Sequence, residues 1–562
     1  MTGSRTGHGS DAVFGRIDRR KFLAGGVAAG AATVLSACSS GTTSPTSSAT
    51  VQSSATAGVG TGTPKKGGTL VVGVDSEIDG FLPSQNHWDN TGYTYAYAVL
   101  EALTAVTIDG SWRPYLAESM TANPDHTQWT LTMRPGITFH DGSQLDADVV
   151  VANLEQVLAS ALTKQALQPI TDVKSTGPLT LTIDTNEPFI TLPYFLASQV
   201  GFIVAKSQLD SQNTQRPIGT GPFVYSQWVP NDHFTVTKNQ RYWQSGQPYL
   251  DSITFHPIFA DESREAALRT GQLDIMASRD PHVIKDLAHD PSFSQINTLS
   301  GRVGEPDIDF ILLNTEADPL SDLTVRQALA RSIDAPTLNK LFGAGITPAA
   351  TGLFYQGSPY YSNNGYPTYD PGEAKSLIEE AKPRHGGQIA FMLQTIPDPR
   401  LIDTTQAIQQ MWNQVGCDVS IGTIQQVELI ANSATGHFQA LTFELFGVSD
   451  PDLNYQWWSS TTAAPIGSIA LNFARNRDPV IDAALEQGRT SSDMATRVAA
   501  YQTIDRQLAK DLPYLYLGVA PWSLTAATNV ENYNNWILPD GSREQGFNAG
   551  AFNPSPIWLV ET

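Results

Sequence analysis

Only two cysteines, Cys38 and Cys417, occur in 562 residues. One lies in an N-terminal leader-like stretch and the other in the body of the chain, so no intramolecular disulfide is expected. Cys417 reads as a small buried side chain, not as a nucleophile or metal ligand. The ten histidines form no close pair and no H-E-x-x-H motif, so no metal site is expected. No G-x-S-x-G elbow and no phosphate loop of the form G-x-x-x-x-G-K-[ST] is present. Catalytic residues and cofactors are therefore not expected. Basic residues are also scarce, 34 Lys and Arg against 55 Asp and Glu, which leaves a net charge of -21. Such a surface repels nucleic acid and anionic lipid headgroups. Beyond the leader no apolar run is long enough to span a bilayer.

The leader itself is informative. Arg19-Arg20-Lys21 precedes Ala24 to Ala37, a short, weakly hydrophobic stretch rich in Gly and Ala. A charged start and a short apolar run constitute an export signal, here 1–37, and the paired arginines resemble a twin-arginine signal. Leu35-Ser36-Ala37-Cys38 resembles the lipobox of bacterial lipoproteins. That resemblance implies cleavage before Cys38, lipidation of Cys38, and anchoring to the outer face of the cytoplasmic membrane. Several acyl chains, each methylene contributing about 0.8 kcal/mol, hold a protein nearly irreversibly. Residues 38–66, dominated by Ser, Thr and Gly, read as a flexible tether.

The remaining chain is too long for one ordinary domain. Gly68–Val74 reads as a first strand, and Trp129–Met133 and Leu179–Ile183 alternate as strands. Asp146 caps a helix running to about Ala161. After the apolar run Phe310–Asn314, helices and strands alternate, with strands at Ile389–Leu393 and Ala440–Leu445 and helices at Pro371–Ala381, Leu401–Val415 and Ala495–Lys510. A strand at Leu515–Val519 follows near the end. This order predicts an α/β protein of at least two lobes with two crossings between them, and a cleft between hinged lobes is a standard ligand site.

Several motifs then occur in a telling order. The first is Tyr115-Leu116-Ala117-Glu118-Ser119 with Phe139-His140-Asp141-Gly142, and the second is Gly219-Thr220-Gly221-Pro222-Phe223 with Tyr242-Trp243. Ala266 to Ile275, Val325-Arg326-Gln327-Ala328-Leu329 and Tyr369-Asp370-Pro371 follow. Together they resemble the extracellular solute-binding proteins of family 5, the dipeptide-, oligopeptide- and nickel-binding components of bacterial ABC importers. The resemblance implies a two-lobed periplasmic-binding-protein-like fold of class II with an inserted subdomain and two hinge crossings. It places a discontinuous first lobe at 67–313 plus 514–562, the insertion at about 111–214, and the second lobe at 314–513. It further implies no enzymatic activity, a monomer, a small solute between the lobes, and an ABC permease as partner. His140 and Asp141 belong to a structural block in that family.

Ligand contacts are expected from aromatic and polar residues facing the cleft. The richest stretch runs from Phe443 to Trp458, with Glu444, Phe446, Asp450, Asn454, Trp457 and Trp458 as candidates. Asn86, His87, Trp88, Tyr93 and Tyr95 after the first strand, and Tyr355, complete the set. The tryptophans read equally well as core. The family's peptide binders anchor a ligand's amino group on an aspartate whose position falls here on Gly447. Asp450 or Glu444 then takes over that role, or the ligand has no free amino terminus; Asp450 also reads as a turn cap. A peptide-like solute is the leading expectation, and an oligosaccharide or other neutral or aromatic organic solute is the alternative.

Overall fold

A computed structural model describes residues 58–60, 62–160, 163–165, 167–299 and 305–560. The expected export signal, Cys38 and most of the expected tether lie outside these residues. Two large sheets organise the rest. The first has seven strands in the order Phe223–Val229, His233–Lys238, Ser252–Pro257, Thr69–Val74, Ile275–Ser278, Ser523–Ala527 and Phe293–Asn297. Thr69–Val74 runs parallel to both of its neighbours. Its Leu70, Val72 and Val74 enter one core while Val71 packs on another. Burial on both faces explains why this strand reads as an unbroken apolar run.

The second sheet has five strands in the order Cys417–Thr423, Ile389–Thr395, Ala440–Leu445, Ile308–Leu313 and Tyr514–Val519. Ile308, Phe310 and Leu312 face one core of this lobe, and Ile311 and Leu313 face the other. The chain thus passes between the two sheets ahead of Ile308 and again between Val519 and Ser523, giving two lobes joined by two crossings. The sheet membership moves the expected lobe limits. Ile308–Leu313 and Tyr514–Val519 fall within the residues assigned to the first lobe, yet they pair with each other and with Ala440–Leu445. A doubly buried strand looks the same in either sheet, so its own residues do not say where it pairs.

A third, four-stranded sheet lies inside the stretch expected as an insertion. Its strands are Ala117–Ala122, Gln128–Met133, Thr180–Thr185 and Ile170–Gly177 in spatial order. Helix Ala147–Ala159, capped by Asp146 as expected, covers it and shares a separate core through Val150, Leu154 and Leu181. Cys417 is buried, and burial pushes its thiol up to about 12.

The motif residues serve this framework. Glu101, fully enclosed, accepts hydrogen bonds from Tyr115, Thr220, Tyr242 and Trp243. Two separate motifs therefore converge on one buried carboxylate whose donors offset its desolvation. His140 joins the Gly-rich segment through Nε2 to the Gly221 carbonyl at 3.0 Å, and burial lowers its pKa to about 4. Asp141 accepts from Ser143 and Ser207. The end of the expected tether is docked, not free. Gly60 donates to Asn532 Oδ1 at 3.1 Å, and the Gly58 carbonyl accepts from Asn534. A Cβ on Gly58 would lie 2.7 Å from the Tyr533 ring, so only glycine allows this approach.

Candidate functional site

Strand Ala440–Leu445 ends beside the first crossing, and side-chain alternation divides its last two residues. Leu445 turns into a recess at the root of the crossing, and Glu444 turns to the opposite face. The chain then runs through Phe446 and Val448 to Asp450, which caps the turn Pro451–Asn454 by accepting from Asp452 N at 3.0 Å. The short helix Tyr455–Trp458 follows directly. Residues four apart share a helical face, and Asn454 and Trp458 both line the recess. Leu353 and Phe354 close it from a neighbouring loop, and Glu305 and Pro306 of the crossing form its edge. The space left has room for about one water-sized group.

Glu444 meets the other lobe. Arg279, just beyond strand Ile275–Ser278 of the first sheet, places Nη2 2.5 Å from Glu444 Oε2 and 3.4 Å from Asp309 Oδ1. Asp309 and Glu444 are direct cross-strand neighbours, so two like charges share one guanidinium. Burial opposes the charge on Arg279, and Glu444 and Asp309 outweigh it, holding its pKa above the usual range. The Arg279 guanidinium also lies 5.3 Å from the centre of the Trp522 ring on the return crossing.

Asp307 gathers the hinge. Its carboxylate accepts from Gly447 N in the second lobe, from Trp522 Nε1 at 2.8 Å on the return crossing, and from Asn90 Nδ2 at 3.2 Å on a first-lobe helix. Burial, aided by the Glu444 charge, pushes its pKa up to about 7. Asp307 Oδ1 lies 2.9 Å from where a Cβ on Gly447 would stand, and the Glu305 carbonyl lies 2.5 Å from it. The hinge thus supplies a carboxylate beside position 447 and leaves no room for one on it. Gly447→Asp is expected to lower stability by about 2 kcal/mol or more through overpacking and carboxylate repulsion. Denaturant titration of the variant checks this, and an unchanged midpoint refutes it.

The structure brings together only part of the expected site. Phe446, Asn454 and Trp458 meet at the recess. Trp457 turns into the second-lobe core, with its ring 4.9 Å from Phe473. Asp450 lies behind the recess and is not a spare anchor: Arg497 Nη2 reaches its two oxygens at 2.7 and 2.8 Å. Glu444 is committed to Arg279. Tyr355 folds over its own turn, its ring 2.4 Å from a Cβ placed on Gly357, and its neighbour Phe354 lines the recess instead.

The stretch from Asn86 to Tyr95 departs furthest from expectation. Asn86 holds its own loop through Leu82 N and the Asp79 carbonyl. His87 is exposed and pairs with Asp79, which raises its pKa. Trp88 donates to the Gly80 carbonyl and packs on Tyr93 and Phe202. The Tyr93 hydroxyl accepts from Gln199 N, and Tyr95 packs on Phe234 and Phe255. These aromatics build the first lobe because helix Asn90–Val99 buries them, and Asn90 is the residue that reaches the hinge. Asn90, Arg279, Glu305, Asp307 and Phe354 were not foreseen, since their role depends on partners distant in sequence.

Comparison with known proteins places this geometry in a wider set. Residues 111–465 match the family described as bacterial extracellular solute-binding proteins, family 5 Middle. The chain is 26% identical over 491 residues to the glutathione-binding protein GsiB of Shigella dysenteriae, covering 84% of this chain and 92% of that protein. Its fold is similar to the periplasmic binding protein DppA of Helicobacter pylori in complex with the peptide STSA, with TM-score 0.77, 20% identity, and coverage of 88% and 99%. It is also similar to AgaA of A. tumefaciens R10 in complex with agropinic acid, with TM-score 0.76, 22% identity, and coverage of 88% and 99%. The chain therefore belongs to the family 5 extracellular solute-binding proteins, the non-catalytic components of ABC importers that hold a small organic solute between two lobes.

Proposed function

We propose that this protein is an exported, lipid-anchored receptor for a peptide-like solute, which it encloses between its lobes and passes to a membrane permease. Residues 1–37 act as the export signal, Cys38 carries the lipid, and the segment after it sets the domain off the membrane. The observation that carries the reading is the set of contacts that join the lobes beside position 447, Arg279 to Glu444 and Asn90 to Asp307, with the aromatic loop from Phe446 to Trp458 following directly. Likeness to the glutathione-binding and STSA-bound proteins favours the peptide-like class. Asp450 and Glu444 are both paired to arginines, so an ammonium anchor falls to Asp307 or is not used.

Calorimetry with di- and tripeptides, each with a free and an acetylated amino terminus, tests the ligand class. Binding of short peptides with compaction in small-angle scattering is the expected result. Binding confined to sugars, or no compaction with any peptide that binds, refutes the reading.

A further inference from the structure

We propose that His233 and His256 form a two-histidine site on the first lobe for a divalent late transition-metal ion, of the class of Zn2+, Ni2+ and Cu2+. The site stands apart from solute capture and does not depend on it.

The two histidines are distant in sequence, and the first sheet brings them together. Strands His233–Lys238 and Ser252–Pro257 run antiparallel, with Phe234 opposite Phe255 and Thr235 opposite Thr254. Continuing that register by one residue sets His233 opposite His256. Directly opposed residues point to the same face, with Cβ atoms about 4.5–5.5 Å apart. Phe234 and Phe255 enter the core, so the histidines take the other, half-buried face, beside the paired hydroxyls of Thr235 and Thr254. The centres of the two imidazole rings are 6.2 Å apart. With metal–nitrogen bonds of about 2.0–2.1 Å, two imidazoles on one ion have their centres about 5–6.5 Å apart. The pair already stands within that range.

Each ring is held by its Nδ1, and both bonds go to one residue. His256 Nδ1 donates to the Asp232 carbonyl at 3.0 Å, and His233 Nδ1 donates to Asp232 Oδ2 at 2.7 Å. A carbonyl oxygen only accepts, so the His256 proton sits on Nδ1 and the neutral ring keeps its lone pair on Nε2. The Asp232 carboxylate selects the same tautomer in His233. Neither Nε2 makes a hydrogen bond among the described residues. Metal-ligating histidines are prepared in this way: the other ring N–H is bound to a carboxylate or a carbonyl, which orients the ring and raises the basicity of the ligating nitrogen. Imidazole nitrogen suits Zn2+, Ni2+ and Cu2+, whereas Mg2+ and Ca2+ take oxygen ligands. Glu77 does not complete the set, since its carboxylate accepts from Trp228 Nε1 at 2.7 Å and Asn231 N at 3.0 Å. No group of three or more His, Cys, Asp or Glu able to hold an ion occurs among the described residues. The other coordination positions therefore go to water, which makes the site an open, exchanging one and not a structural one.

The test titrates the full chain, labelled with 15N in its histidines, with zinc chloride alone. The Nε2 resonances of His233 and His256 are assigned by their loss in His233→Gln and His256→Gln. Both are expected to move together to saturation at one ion per pair, and magnesium chloride is expected to move neither. Each single variant is expected to weaken Zn2+ binding at the remaining ring at least tenfold. Calorimetry of the double variant is expected to show no greater loss than either single one, because one missing ligand already breaks the chelate. Asp232→Asn is expected to weaken binding about tenfold, as the loss of an outer-shell partner does, with both rings still responding. If a variant does not fold, anomalous scattering at the zinc edge from crystals of the parent grown with Zn2+ locates the ion. Density between the two Nε2 atoms upholds the site, and zinc bound only elsewhere overturns it. Resonances unmoved by Zn2+ overturn it too. So do losses that add in the double variant, which mark two independent imidazoles and an adventitious ion only.

Discussion

Asp450→Ala is expected to lower stability by about 3–5 kcal/mol, the cost of breaking a buried ion pair by removing one partner. Arg497 makes its shortest contacts with the two Asp450 oxygens and has one further bond, from Nε to the Gly488 carbonyl at 2.9 Å. Without the carboxylate its charge stays in a closed interior, next to Tyr501 and Tyr360. Burial pushes the Asp450 carboxyl up and the Arg497 charge opposes it, so each partner keeps the other ionised. Combining Asp450→Leu with Arg497→Leu is expected to regain most of the loss, because no charge is then stranded. Urea denaturation of the single and double variants measures both effects. The result also separates two roles. A residue that anchors solute loses binding and keeps its melting temperature, whereas the geometry here requires the stability to fall with no solute present. A single variant as stable as the parent would falsify the structural role and return Asp450 to the list of anchors.

That contrast shows what can be read from one sequence. Strand Ala440–Leu445 and helix Pro371–Ala381 coincide with their expected limits, because each carries a complete local signal: an apolar run in one case, an Asp-Pro start in the other. Strand Ile170–Gly177 was missed for an equally local reason. It lies at the edge of its sheet and buries only Val173, so no alternation marks it. The lobe limits slipped at Ile308–Leu313 because pairing is a property of two strands.

At the site, the loop from Phe446 to Trp458 was legible because a strand end followed by Pro, Asp and aromatics presents side chains at a cleft. Which aromatic faces the recess was not legible: Trp457 and Trp458 are adjacent and identical, and only their place on one turn of helix separates core from wall. Asp307 and Arg279 carried no local signal. Arg279 acts through Glu444, 165 residues away. Asp307 acts through Asn90 and Trp522, each more than 200 residues distant. Charges that bridge lobes are set by topology, and topology is what a single sequence states least directly.

Stability is expected to fall as pH rises from about 5 to about 8.5, by about 3 kcal/mol or more. Four buried carboxyls drive this. Burial pushes Glu544 up to about 8, Asp307 to about 7, and Asp89 and Asp505 each to about 6. In the unfolded chain all four ionise near pH 4. Between that pH and the raised value the folded protein holds a proton the unfolded chain has released, so each contribution is complete below pH 4 and disappears as pH climbs through the folded value. Each unit of separation corresponds to about 1.4 kcal/mol. His140 works the other way, since its pKa is lowered to about 4 and its contribution is lost as pH falls below about 6.5; it is one group against four. Asp322, held down to about 2 where Arg384 and Thr324 N overcome its burial, matters only in stronger acid. Glu544 gives the largest share, and its carboxylate accepts from Gly546 N at 2.6 Å. Glu544→Gln is therefore expected to flatten the decline most between pH 7 and 8. Asp307→Asn should flatten it one unit lower while weakening the hinge, because Gly447 N, Trp522 and Asn90 then share a single carbonyl oxygen. Denaturation at closely spaced pH values reads both effects, and stability that rises with pH across this window sinks the assignment.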